Sequence, residues 1–221
     1  MLTKNMNKRE VINNTARYAR ETLEGEASGH NWWHVYRVWK MAQNIGQKEN
    51  ADMLVVELAA LLHDIADYKM HDGDDSVGSI VAREWLEKQS VDEDIISHVC
   101  EIIKEASFKG AKVETKINTI EGKVVQDADR LDAIGAIGIA RNFAYGGAKN
   151  IEIYNPEVKP ELHESFEKYK KNTDPINHFY EKLLLLKDLM NTESGKVIAQ
   201  GRHEIMEQFL KDFFNEWGGK A

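Results

Sequence analysis

Three short stretches of this chain carry side chains of the kind that hold metal ions or move protons. The run VVELAALLHDIADYK, residues 55–69, is apolar over its first part apart from Glu57, and then delivers His63 and Asp64 side by side. A helix of that composition belongs inside a fold rather than on its surface. Burying the ionised carboxylate of Asp64 without a partner is strongly unfavourable, so a positive charge must sit beside it. A divalent cation bound through imidazole nitrogen and carboxylate oxygen is one solution. An ion pair with an arginine or a helix N-terminus, with His63 on a backbone carbonyl, is the other. The run GHNWWHVYRVWKMA, residues 29–42, places His34 and Arg37 three apart on one helical face. The run GKVVQDADRLDAIGAIGIAR, residues 122–141, sets Asp129 ahead of an apolar, glycine-spaced stretch. Delivered by three buried helices, His34, His63, Asp64 and Asp129 make a four-ligand set with positions left for water and substrate.

Neighbouring groups are sorted by phase. His30 precedes His34 by four residues, a spacing at which one helix presents two imidazoles to a metal, so a fully helical HNWWH segment would let this pair form a site of its own. Asp127 is about 200° around a helix from Asp129 and faces elsewhere. Asp132, at i+3, shares the face of Asp129 and is a candidate to support a ligand. The acidic stretch after His71, residues 72–75, lacks the pattern of a calcium loop and reads as a solvated turn.

The elements that must position these groups are helices. Pro156, Pro160 and Pro175 are the only prolines, and long alternating strand patterns are missing. Val11, Ile12, Thr15, Tyr18, Ala19 and Leu23 follow helical spacing, as do Val35, Val38, Trp39, Ala42 and Ile45. The fold class is all-α. Ser90 with Glu93 reads as a capping box opening a helix over Val91–Ala106, and Asn50 as the cap of a helix over Ala51–Ala66. Gly46 and Gly110 read as helix stops. A helical stretch starts near Thr119 and runs through Ile139, and a last one starts at Thr192 or Ser194 and ends near Trp217. Gly135 and Gly138 each cost about 1 kcal/mol relative to Ala inside a helix, which implies that another helix approaches them closely. Residues 145–160 read as a long loop or a short hairpin, either a lid or a surface connection. We expect one domain over residues 1–221, with a helical core over about 8–145 and a helical C-terminal extension over about 160–221.

The pattern H…HD…D, carried by His34 in HVYRV, His63 and Asp64 in LLHDIAD, and Asp129 in QDADRLDA, resembles the HD superfamily of metal-dependent phosphohydrolases. The likeness spans residues 29–141, and WWHVYRV and DADRLDAIGAIG are similar to a small bacterial branch of stand-alone HD proteins. The resemblance implies an HD-domain helical bundle, a divalent cation such as Mn²⁺, Mg²⁺, Co²⁺ or Ni²⁺, and hydrolysis of phosphate esters or anhydrides, often of nucleotides. Two-metal HD proteins carry extra histidines between the HD pair and the last Asp. Here SHVCEIIKEASFKG holds His98 but has Ala106 where such a histidine stands, so one metal is expected. In this frame the metal activates water to attack phosphorus. Asp67, four residues after His63, orients that water or protonates the leaving group, or else supports a ligand. Arg37 clamps a phosphoryl oxygen, and His30, Lys104 and Lys109 line the substrate site. The implied activity is cleavage of a nucleoside triphosphate to monophosphate and pyrophosphate. Monophosphatase or alarmone hydrolase activity, and a non-catalytic nucleotide-sensing module, are the alternatives.

Composition removes other classes. The 221 residues carry 29 Lys and Arg against 37 Asp and Glu, a formal net charge of −8, with no basic stripe for a nucleic-acid polymer. Met53–Leu62, the longest nearly apolar stretch, is too short to cross a bilayer. The opening MLTKNMNKRE lacks the apolar core of a secretory signal. Cys100 stands alone, which excludes an internal disulfide and a thiolate zinc site and suits a reducing, cytoplasmic setting. The expected partner is a small nucleotide, and a homodimer is left open.

Overall fold

The computed structural model describes residues 7–25, 31–66, 77–106, 117–161 and 173–220. Among them every regular element is helical: nine α-helices and one 3-10 helix, with no strand. None of these helices is long and apolar enough to cross a membrane. The chain divides into two compact units, Met1–Ser107 with Thr115–Ala128, and Phe108–Glu114 with Asp129–Ala221.

The first unit contains α1 (Lys8–Thr22), α2 (Trp32–Lys48), α3 (Met53–Leu62), α4 (Val77–Lys88), α5 (Glu93–Ala106) and the start of α6 (Ile120–Asp132). Helix α3 is its axis. Eight of its ten residues are buried, and it packs against α1, α2 and α5. Each large apolar side chain removed from water there contributes roughly 1.5–3 kcal/mol. The one charge on α3, Glu57, is half-buried, and its Oε2 accepts from Trp39 Nε1 at 2.8 Å and Gln43 Nε2 at 2.7 Å, both on α2. Helices α1 and α4 are joined through Trp85, whose ring stacks on Tyr18 at 4.0 Å and whose Nε1 donates to the buried Thr15 hydroxyl at 2.9 Å.

Several boundaries differ from the sequence reading, for one physical reason. Asn50 and Ser90 end helices instead of starting them. Both hold positive φ, +55° and +57°, as does Asn150 at +54°. The next amide in each case reaches back five residues: Ala51 to Gly46 at 3.0 Å, Val91 to Leu86 at 3.1 Å, and Ile151 to Gly146 at 2.9 Å. This is the left-handed helix stop in which one backbone amide satisfies a terminal carbonyl. The next helix then starts later: Asp52 caps α3 by accepting from Leu54 N at 2.9 Å, and α5 opens at Glu93. Gly46 stops nothing. It sits buried inside α2, where a Cβ would come within 2.9 Å of Met53 Sδ. Gly110 lies outside the described residues.

The second unit holds α7 (Gly135–Ala148), α8 (Pro175–Glu181), the 3-10 helix (Leu183–Leu189) and α9 (Glu193–Trp217). Thr192 caps α9 through Gly195 N at 3.0 Å, as its position suggested. Helix α9 packs on α7 and on the 3-10 helix. Phe143, Phe179, Phe209 and Phe213 form a continuous aromatic file that ends where Tyr154 meets Trp217 edge-on at 5.1 Å. Helix α7 takes residues 145–148, and the connection after it is a loop, not a hairpin. That loop is pinned: besides the Ile151 amide, Asn155 N donates to Asp174, Asn177 Nδ2 to the Val158 carbonyl, and Glu161 N to Glu181. A segment tied to its neighbours at so many backbone points is a fixed connector.

Candidate metal centre

His34 enters the site on the first turn of α2. Asn31 precedes the helix, and its Oδ1 accepts from the Trp33 and His34 amides at 3.1 and 3.2 Å, so the cap fixes the backbone of the histidine itself. An asparagine directly ahead of an apolar-periodic run is a recognisable start signal, which was overlooked for Asn31. The His34 side chain points inward and is 1% exposed.

His63 and Asp64 follow the last residue of α3. The expected continuation of this helix to Ala66 is replaced by a turn, with Ile65 N donating to Leu62 O at 3.2 Å. His63 retains helical backbone angles, which swings its ring back over the final turn. There Nδ1 lies 2.9 Å from the Ala60 carbonyl. A carbonyl only accepts, so Nδ1 carries the proton and donates, and the lone pair of the neutral ring is on Nε2.

That Nε2 faces the other candidate ligands. It is 3.3 Å from His34 Nε2 and 3.4 Å from Asp64 Oδ2, and the latter oxygen is 3.2 Å from His34 Nε2. One ligand atom each from His34, His63 and Asp129 lie within 4.8 Å of one another. Asp129 is carried on α6 in the turn after the buried Val124, Val125 and Ala128. With its proton on Nε2, His34 donates to Asp64 Oδ2; with that nitrogen bare, two imidazole lone pairs and the carboxylate oxygens face a small volume that a cation would fill. The donor set of two nitrogens and carboxylate oxygens is that of a divalent transition-metal site, so these residues fit the expected ion.

The remaining sequence-derived residues separate clearly. Arg37 lies one turn beyond His34 and is half-buried. Lys104 is exposed in the last turn of α5. His30, Asp67 and Lys109 lie outside the described residues. Asp132, expected to support a ligand, meets Arg141, whose Nη1 is 2.5 Å from Oδ2. His98 is occupied elsewhere, with Nε2 3.0 Å from the Thr119 hydroxyl and 3.8 Å from Glu121. It ties α5 to the start of α6, where Thr119 Oγ1 also accepts from Gly122 N at 3.2 Å.

Comparison with known proteins places this geometry. The family model described as HD domain matches residues 32–134. The YpgQ protein of Bacillus subtilis (strain 168) is 41% identical over 197 residues, covering 88% of this chain and 87% of that protein. A crystal structure of an HD-superfamily hydrolase from Bacillus thuringiensis superposes with a TM-score of 0.77 at 44% identity, covering 96% of this chain and 100% of the other. The crystal structure of Bacillus subtilis YpgQ in complex with ADP gives a TM-score of 0.73 at 36% identity, covering 93% and 97%.

Proposed function

This chain belongs to the HD-domain family, and from that premise we propose that it is a metal-dependent phosphohydrolase acting on nucleotides, cleaving a nucleoside triphosphate to monophosphate and pyrophosphate. The observation that carries the reading is the convergence of His34, His63 and Asp64 at 3.2–3.4 Å, with Asp129 offering an oxygen within 4.8 Å of the two histidines. His34, His63, Asp64 and Asp129 would hold a divalent cation, which would supply Lewis acidity to water and to a phosphoryl oxygen. Mixed nitrogen and oxygen donors favour Mn²⁺, Co²⁺ or Ni²⁺ over Mg²⁺, which prefers oxygen alone.

The chain's own residues do the rest. His63, locked through Ala60, keeps its Nε2 lone pair turned inward without a change of tautomer. Arg37 offers two parallel N–H groups to a phosphoryl oxygen pair, neutralising charge as it builds up. Asp67 protonates the leaving oxygen or orients the water. Lys104, Lys109 and His30 extend the substrate site. In the net reaction, a P–O bond forms from water to the α-phosphorus, the α–β bridging P–O bond breaks, and the departing pyrophosphate takes up the proton. The choice of a nucleotide is supported by the relative crystallised with ADP.

The test is incubation of the Mn²⁺-loaded protein with a panel of nucleoside mono-, di- and triphosphates and an alarmone, with products resolved by chromatography. Monophosphate and pyrophosphate are expected from a triphosphate. Turnover no greater than that of His63→Ala and Asp64→Ala controls overturns the reading. Calorimetric binding of an intact nucleotide without turnover in any metal would support the sensing module instead.

A further inference from the structure

The end of α6 is closed by two arginines from elsewhere in the chain. The last carbonyls of a helix lack partners one turn ahead. Here the turn tightens, with Ala133 N donating to Arg130 O at 3.1 Å and Ile134 N to Leu131 O at 3.3 Å. The chain then departs through Gly135 at φ +73°. Arg202, on α9, donates its Nη1 to the Leu131 carbonyl. Arg141, on α7, donates its Nη1 to the Asp132 carbonyl at 3.3 Å as well as to the Asp132 carboxylate. Arg130 is itself held, donating to the Leu189 carbonyl. Gly135 makes room for this arrangement, since a Cβ there would lie 2.9 Å from Arg202 Cγ and 3.0 Å from its Cβ.

We infer that Arg202 and Arg141 are positioning residues for Asp129, fixing the final turn of α6 so that the carboxylate meets the metal at one angle. The inference rests on the reading above in which Asp129 is a ligand. An aspartate has a short side chain and goes where its backbone goes, and Asp129 is two residues before one clamped carbonyl and three before the other. Positive groups at a helix C-terminus also oppose its dipole, which stabilises the last turn against fraying. Burial pulls the Arg202 guanidinium below its ordinary value while Asp132 pulls it up, and an arginine remains charged regardless.

The test is titration of MnCl₂ into the full chain by calorimetry, paired with thermal melts with and without Mn²⁺. Failure of the unsubstituted protein to bind Mn²⁺ overturns the metal reading itself, and this inference with it. Given binding, Arg202→Met retains the stem against Gly135 but removes the donors, and it is expected to weaken Mn²⁺ affinity about tenfold, as loss of a supporting bond does. The Mn²⁺-induced rise in Tm should shrink with it. Arg202→Lys, which keeps a cation for the carbonyl, should recover most of both. A merely architectural arginine would lower the metal-free Tm and leave Kd and the rise untouched, which overturns the inference. If Arg202→Met does not fold, Arg141→Gln is measured, with a loss of about tenfold expected. Unchanged affinity there overturns the inference equally.

Discussion

The carboxyl ends of α3 and α6 both present groups of the proposed metal site, and they are secured in different ways. At α3 the bond that orients the ring is local: His63 folds back onto the Ala60 carbonyl three residues earlier, and Asp64 follows directly. At α6 the closing groups come from nine and 71 residues downstream, Arg141 on Asp132 and Arg202 on Leu131. A ligand held by its own turn survives changes elsewhere in the chain, whereas a ligand held by distant side chains depends on tertiary packing. The two ends should therefore respond differently to perturbation.

The largest effect is expected from His63→Ala, which removes a ligand and the bond that orients it. Mn²⁺ affinity should fall by more than about 100-fold, beyond the range seen for supporting residues alone, as read by equilibrium dialysis with elemental analysis. Retention of full metal stoichiometry would break the assignment of the α3 end. Next is Gly135→Ala, which puts a Cβ at positive φ and pushes on Arg202. Urea unfolding should show a loss of about 2 kcal/mol, and an unchanged midpoint would mean that α6 closes without help from the α7 start. Asp52→Ala removes the cap at the far end of α3 and should cost about 1 kcal/mol. Its Mn²⁺ affinity should stay within about twofold of the parent, because the ligand end of α3 is closed within itself. A larger drop would show that the local closure is not sufficient.

The smallest effect concerns Cys100, away from both ends, whose thiol donates to the Ser79 carbonyl at 3.3 Å. Burial pushes this thiol above its ordinary value. The unfolded chain thus ionises first, binds fewer protons than the folded one, and gains stability as pH rises past the ordinary thiol range. Cys100→Ala should flatten the alkaline fall in folding stability by less than about 1 kcal/mol, while neutral and acidic values keep their slope.

What the sequence made legible follows the same division. His63 and Asp64 stood out because an apolar run ending in two polar ligands is a contrast contained in one segment. His34 and Asp129 needed more than helical phase: the H…HD…D resemblance chose His34 over His30 and paired Asp129 with the HD dipeptide. The break between α6 and α7 was hidden, because Ala133 and Ile134 continue an apolar pattern and Gly135 looked like a groove for a neighbour. It is such a groove, with Arg202 in it, but its positive φ also ends the run. Gly138 differs: a Cβ there would meet the Ala133 carbonyl at 2.2 Å, so it is small because of the preceding turn and not because a helix crosses it. Asn50 and Ser90 were identified as helix-boundary residues of the right type but assigned to the wrong side of the boundary, since both types favour a cap and tolerate positive φ. Nothing in the segment around Asp132 announces Arg141 or Arg202, which reach it only through tertiary packing.

One more consequence comes from Glu57. A rod as uniformly oily as α3 can roll about its long axis by a residue step with little change in buried area, and each such roll would carry His63 through about 100°. Trp39 and Gln43 grip a single oxygen on that rod from the neighbouring helix, and they act as a key in a shaft. The lone charge in the greasiest part of the molecule thereby sets the rotational timing between the two histidines, one on each helix.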